Sequence, residues 1–139
     1  MTNEEKQLLL KDICARLPYG VKCIVTKSIT EEVQEGDVGK IAWVCLGGVN
    51  CIGDTPFFSE FGYFKPYLRS MSSMTEEELK EFRACHCVYD LHPDFQPMMC
   101  NIANEQSMFD WLKVHHFDYR GLIEKGLALE APEGMYKID

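Results

Sequence analysis

Residues 115–122, HHFDYRGL, hold the densest group of side chains that could do chemistry in this chain. Imidazoles beside a carboxylate can ligate zinc, or can act as general acid and base in hydrolysis. Adjacent histidines on a helix point about 100° apart, so His115 and His116 can bind one ion only if the helix breaks between them. A hydrolytic site would also need a nucleophile or a metal beside Asp118. The stretch is therefore a candidate site, but a joint between two helices is the interpretation we favour.

A second candidate lies in CHCVYDLHPDFQPMMC, which contains Cys85, Cys87, His92 and Cys100. Thiolate and imidazole are zinc ligands, and in a reducing compartment such a group indicates metal rather than disulfide. The spacing matches none of the common C-x₂₋₄-C pairs, however, and Cys85 and Cys87 share a side only in an extended segment. Free buried cysteines, which behave as small apolar residues, are the alternative. We assign no metal or other cofactor from the sequence.

Aromatic residues crowd the stretch FFSEFGYFKPY, residues 57–67. Such density is more typical of a core or of a sheet cap than of a ligand-stacking surface. If part of the cluster reaches the surface, Phe61, Tyr63 and Tyr67 are the candidates for contact with a partner.

The elements that position these residues begin with a helix over residues 2–17, where Thr2 and Glu5 form a capping box. A β unit follows over residues 21–67. Its segment VGKIAWVCL, residues 38–46, is apolar on both alternating faces from Ile41 onward, which predicts a strand buried on both sides. The Gly47-Gly48 pair after it predicts a tight hairpin with positive φ.

Helices are predicted again over residues 75–85, 104–116 and 118–126, followed by an exposed tail, 130–139, that Met135 and Tyr136 could hold. Thr75 and Glu78 form a second capping box. Asp118 is placed to cap the last helix, and Gly126 to end it in a left-handed conformation. Arg120 is expected to pair with Asp118 or with a neighbouring acid.

Length and composition predict one domain, residues 1–139, because 139 residues with 46% hydrophobic content suffice for a single core. The expected fold class is α+β: a small curled antiparallel sheet, for which an SH3-like barrel is one option, with an N-terminal helix and C-terminal helices. The net charge of −8 disfavours nucleic acid and anionic lipid as partners. Seven cysteines and an acidic, amphipathic start predict a cytoplasmic protein, and no apolar run is long enough to span a membrane.

Three stretches resemble short proteins of gut Bacteroidales and of their phages and prophages, a group with no assigned activity. They are LLLKDICARLPYGVK (8–22), KPYLRSMSSMTEEE (65–78) and FDWLKVHHFDYRGLIEKGLALEAPEGMY (109–136). Similar sequences often carry proline where this chain has Ser70, and their intervening segments differ widely. The resemblance implies a mobile-element or phage setting, and a framework of N-terminal helix, variable β unit and C-terminal helices. It carries no role to any residue.

Three functions remain open from the sequence. The first is a non-enzymatic protein-binding or adaptor module that presents an aromatic-rich edge. The second is a small metal-binding protein or hydrolase, which would use the Cys85–Cys100 or the His115–Asp118 cluster. The third is an acidic mimic of nucleic acid, which rests on charge alone. We favour the first, because no G-x-S-x-G, H-E-x-x-H or dinucleotide-binding pattern is present.

Overall fold

A computed structural model describes residues 1–28, 30–86 and 102–136 of the chain, with the backbone alone at 84–86 and 102–106. Within these residues the fold is α+β, as the sequence predicts. The helices are α1 (Asn3–Arg16), α2 (Glu76–His86) and α3 (Ile102–Val114). The strands are β1 (Lys22–Val25), β2 (Val38–Val44), β3 (Gly48–Ile52), β4 (Pro56–Glu60), β5 (Phe64–Leu68) and β6 (Leu129–Glu130). None of the described helices is long and apolar enough to cross a membrane.

The strands form one mixed sheet in the order β4-β3-β2-β1-β5-β6. The first five pair antiparallel, while β6 runs parallel to β5. The sheet is not closed, so the SH3-like barrel is not confirmed. It is curled, however, because β4 and β5 are joined only by residues 61–63. The four residue-to-residue steps from Glu60 to Phe64 reach at most about 14 Å. In a flat sheet β4 and β5 would be four strand spacings apart, about 19 Å, so the sheet must curl to bring them together.

The helix starts follow their predicted caps. The Thr2 hydroxyl accepts a hydrogen bond from the amide of Glu5 at 3.1 Å, and the Glu5 carboxylate accepts one from the amide of Thr2. Thr75 and Glu78 make the same reciprocal pair at the start of α2. Both capping boxes are therefore confirmed, and each satisfies two backbone donors that a helix start leaves free.

The main core fills the concave face of the curled sheet, and α1 packs against it with Leu9 and Ile13. The sheet and the C-terminal segment supply its other buried members: Val21, Cys23, Ile41, Val49, Cys51, Phe64, Leu68, Leu122, Leu127 and Ala128. A second cluster joins α2 and α3 and contains Met74, Phe82, Met108, Leu112 and Phe117. Both clusters exclude water, and the elements around them are held mainly by this burial.

The predicted helix over residues 118–126 is wrong: the chain forms consecutive turns there. Gly121 has φ +74°, which interrupts any right-handed helix at its centre. The Asp118 carboxylate still accepts hydrogen bonds from the amides of Leu122 and Ile123, both at 2.9 Å. Gly126 is left-handed at φ +75°, as expected, although it ends a turn instead of a helix.

A further sequence expectation, on the glycines, needs correction, whereas the one on the tail is confirmed for the described residues. Neither Gly47 nor Gly48 has positive φ; Gly48 is required because a Cβ there would lie 2.1 Å from the carbonyl oxygen of Ser59. The tail is largely exposed up to residue 136 and is held as expected, because the Tyr136 hydroxyl bonds to two strands of the sheet. That hydroxyl accepts from the amide of Lys22 at 2.8 Å and donates to the carbonyl of Tyr67 at 2.7 Å.

Candidate functional site

The two histidines of HHFDYRGL contact different aromatic rings. His115 stacks on Trp111 with ring centroids 4.1 Å apart. His116 lies after the end of α3 with φ +65°, and it stacks on Tyr136 at 3.7 Å. α3 ends at Val114, before both histidines, and the two imidazoles pack in separate places.

The charged members of the same stretch make structural contacts. Asp118 is buried and caps the following turn through the amides described above. Arg120 pairs with Asp12 at 3.0 Å and not with Asp118. Asp12 also binds Arg16 at 2.7 Å, and Arg16 reaches the carbonyl of Phe117 at 2.7 Å. The stretch therefore joins α3 to α1 and to the turns that follow.

Burial sets the charge state of the histidines in this joint. Together with the nearby Arg16, it lowers the pKa of His116 to about 4. Burial also lowers the pKa of His115, although Glu78 acts in the opposite direction. His116 is therefore neutral near pH 7, and its Nδ1 has no hydrogen-bond partner among the described residues. Within those residues, no three His, Cys, Asp or Glu side chains are grouped so that they could hold a metal ion.

The cysteine-rich candidate lies largely outside the described residues. Cys87, His92 and Cys100 are not described, nor is the side chain of Cys85. Zinc binding by this group stays a prediction. Two other thiols, those of Cys23 and Cys51, lie 3.3 Å apart in the main core as free cysteines.

The aromatic run is divided between the two faces of the sheet. Phe64 is buried in the core, and Phe61 packs against the core with its ring 5.5 Å from that of Phe64. Tyr63 lies in the turn before β5, with the Lys27 ammonium 5.5 Å from its ring centre. Tyr67 alternates with the buried Phe64 and Leu68 and so faces the convex side. The three predicted surface aromatics therefore do not share one surface, and their role in binding stays a prediction.

Among the described residues, four of the large apolar side chains left in solvent lie on the convex face, whereas Leu46, the most exposed, lies in the turn after β2. Trp43 in β2 is 61% exposed, and Ile52 in β3 is 55% exposed. Phe58 in β4 is 42% exposed, and Val38 at the start of β2 is exposed as well. The prediction that β2 is buried on both sides is therefore wrong.

A β-bulge in β2 explains the orientation of Trp43. Ile41 pairs with Cys51, whereas Trp43 pairs with Asn50, the neighbour of Cys51, so that Ala42 is an extra residue in β2. Strict alternation from the buried Ile41 would direct Trp43 into the core. The extra residue shifts Trp43 to the convex face, and bulges often redirect a side chain in this way next to functional sites.

Two cross-strand rows, together with the exposed Val38 at the start of β2, define what we call the convex patch. Its members are Val38, Lys40, Trp43, Asn50, Ile52, Pro56 and Phe58. In one row, Asn50 lies between Trp43 and Phe58. In the other, Ile52 lies between Lys40 and Pro56, and Lys22 extends the row into β1. Directly paired side chains on one face are about 5 Å apart at Cβ. The patch is thus one continuous surface, in which the polar Asn50 and the charged Lys40 lie among apolar side chains.

No protein-family model, curated protein or solved structure matches this chain. The candidate site is therefore defined by geometry alone. Its members Trp43, Ile52 and Phe58 are absent from the candidates that the sequence suggests. The small Ala42 between the bulky Ile41 and Trp43 is the only sequence signal of the bulge, and it is too weak to have identified it.

Proposed function

We propose that the protein is a non-enzymatic binding module that docks another protein on the convex patch. The observation that carries this proposal is the bulge at Ala42, which places Trp43 in solvent where regular pairing would bury it. Tryptophan is enriched among the few residues that dominate binding energy at protein interfaces. The face is supported from behind by the core, so it is a rigid surface for a partner.

Exposure of these side chains works against the stability of the free protein. Burying a large apolar side chain stabilises by about 1.5–3 kcal/mol, and Trp43, Ile52 and Phe58 gain only part of this in the free protein because each stays partly exposed. A single exposed apolar residue is ordinary, whereas a continuous apolar patch is typical of an interaction surface. A partner that covers the patch recovers this free energy on binding.

Affinity capture tests the proposal. The wild-type protein and the variant Trp43→Ser/Phe58→Ser are immobilised and exposed to lysate of the source organism, and bound proteins are quantified by mass spectrometry. The control is Val114→Ser, which removes an exposed apolar side chain from the end of α3. We expect at least one protein that the wild type and the control retain and the double variant loses. If every captured protein binds all three forms equally, the proposal is wrong.

The finer sequence predictions belong to the same proposal. We propose that the five antiparallel strands are an opened SH3-like barrel, since the three-residue link between β4 and β5 brings the two ends of that sheet together. A cytoplasmic location and a mobile-element or phage origin rest on the sequence alone. The open sheet with a buried concave face and an apolar convex face favours the binding module over the hydrolase and over the nucleic-acid mimic.

A further inference from the structure

We infer that the partner segment is acidic: an extended stretch of protein with apolar side chains at one end and carboxylates at the other. This inference rests on the proposed function and adds the chemistry of the ligand. Its basis is the position of three lysines on the convex face: Lys40 within the convex patch, and Lys22 and Lys65 beside it.

Three lysines lie on the convex face in neighbouring strands, although the chain as a whole carries a net charge of −8. Lys22 in β1 and Lys40 in β2 are direct partners across the sheet. Lys65 in β5 pairs with Ile24, the second residue after Lys22 in β1. Each lysine follows or precedes a buried residue of its strand, namely Cys23, Gly39 or Pro66, so strand alternation directs all three lysine side chains to the convex face.

These charges have no acidic partner in the part of the chain that the structure describes: no carboxylate there lies within 4.0 Å of an ammonium of these three lysines. Among the described residues, the Lys22 ammonium contacts two neutral groups, the carbonyl of Met135 at 3.4 Å and the ring of Tyr136, whose centre is 5.9 Å away. Like charges directly opposite each other in a sheet are destabilising. The Lys22–Lys40 pair thus leaves a positive field on this face that an anionic ligand would neutralise.

The described carboxylates nearest this face lie beside its apolar part, and one of them, Glu32, lines a groove with Asn50, Pro56 and Phe58. Glu60 is at the far end of the edge strand β4, and Asp37 and Asp54 lie in the turns next to Val38 and Ile52. The face is therefore basic over β2, β1 and β5, and apolar over β2, β3 and β4. From β3 to β5 is about 14 Å at three strand spacings, which an extended chain covers in about four residues.

A protein segment suits this surface better than a nucleic acid does. A polyanion charged at every unit would be repelled by the net charge of −8, and three lysines neutralise few phosphates. The aliphatic side chains of Val38, Ile52 and Pro56 also match apolar side chains better than bases, which stack on aromatic rings. The ligand class we assign is therefore an acidic peptide segment with an apolar anchor.

Fluorescence anisotropy with labelled synthetic peptides tests this assignment. The probe has leucine and phenylalanine at one end and three glutamates that begin four residues further on; a second peptide has glutamine in place of the glutamates. A nine-residue thymidine oligonucleotide is the nucleic-acid probe. We expect the glutamate peptide to bind at least tenfold more tightly than the glutamine peptide at low salt, and the ratio to fall as salt rises.

Charge-reversal variants assign the effect to the convex face. Lys40→Glu/Lys65→Glu should remove the preference for glutamate, whereas Lys11→Glu/Lys125→Glu, with the same change in net charge at exposed positions outside the sheet, should keep it. Circular dichroism checks that each variant is folded. Equal affinity for the two peptides, no binding of either, or tighter binding of the oligonucleotide overturns the inference. If both peptides bind equally and Trp43→Ser abolishes both, the binding function stands and only its acidic preference is wrong.

Discussion

Ile41 and Trp43 face opposite sides of the sheet although only one residue separates them in β2. Ile41 is 1% exposed in the core, and Trp43 is 61% exposed on the convex face. Residues i and i+2 of a regular strand share a face, so the extra residue Ala42 is what separates them. The two side chains should therefore differ in what they contribute: Ile41 to stability and Trp43 to binding.

The first prediction compares these two residues in urea unfolding. Ile41→Ala should lower the free energy of unfolding by about 3 kcal/mol, because it opens a cavity in a packed core. Trp43→Ser should change it by less than about 0.5 kcal/mol, because an exposed side chain contributes little to folding. A loss of 2 kcal/mol or more in Trp43→Ser would show that Trp43 supports the fold and would weaken its assignment to a binding surface.

The second prediction concerns the two glycines between β2 and β3. Gly48→Ala should destabilise by about 2 kcal/mol or more, since its Cβ would collide with the backbone of Ser59 and Glu60 in β4. Gly47→Ala is the matched control: its Cβ would meet only the ring of Phe58, at 4.0 Å. Thermal unfolding of both variants checks the difference. Equal melting temperatures would mean that β4 does not lie as close to β3 as described.

The third prediction concerns the buried pair of Asp12 and Arg16, both with side chains at 0% exposure. Asp12→Ala should cost about 3 kcal/mol or more, because it leaves the Arg16 guanidinium buried without its partner. Adding Arg16→Met should restore part of that stability, since the second change removes the unpaired charge. Equilibrium denaturation of the single and double variants measures the effect. A double variant less stable than Asp12→Ala would contradict it.

The fourth prediction is a loss of stability on mild acidification. The pKa of His116 is about 4 when folded and near 6.5 when unfolded, so between these values the unfolded chain binds the additional proton. Stability is therefore full above pH 6.5 and falls as the pH drops towards 4. Between pH 7 and pH 5 the free energy of unfolding should fall by about 1.5 kcal/mol. This is less than the full pKa shift of His116 would give, because solvent screens the imidazole in part. The charged or titratable groups that add to the effect are Arg16, His115, Arg69 and Lys22.

His116→Asn is the control for this pH dependence, because asparagine tolerates the positive φ of that position and does not titrate. Most of the loss between pH 7 and pH 5 should disappear in this variant, with a smaller part remaining from His115. The ion pair with Arg69 lowers the pKa of Glu78 to about 2. The stability that Glu78 contributes is therefore lost below about pH 4.5, outside the interval from pH 7 to pH 5. An unchanged pH profile in His116→Asn would assign the dependence to other groups.

Local sequence patterns were enough to predict the features that depend on neighbouring residues. The capping boxes at Thr2 and Thr75 and the left-handed Gly126 are confirmed, because each involves contacts a few residues apart. The helix after Asp118 is wrong, since the left-handed Gly121 interrupts it.

The candidate site could not be predicted because it depends on pairing between distant strands. A single extra residue, Ala42, decides the face on which Trp43 lies. Such a bulge cannot be inferred from the amino-acid composition of the strand. Phe61 and Tyr67 are equally aromatic, but the curl of the sheet directs one towards the core and the other away from it. The proposed patch therefore contains residues other than Phe61, Tyr63 and Tyr67, whose role in binding stays a prediction.

Isothermal titration of the captured partner against the wild type and against Trp43→Ser tests the central claim most directly. If the convex patch is the docking surface, the dissociation constant should rise at least thirtyfold in Trp43→Ser, a loss of about 2 kcal/mol that is typical of a dominant interface residue. Val114→Ser should leave the constant unchanged. A partner that binds the wild type and Trp43→Ser with the same affinity would contradict the claim.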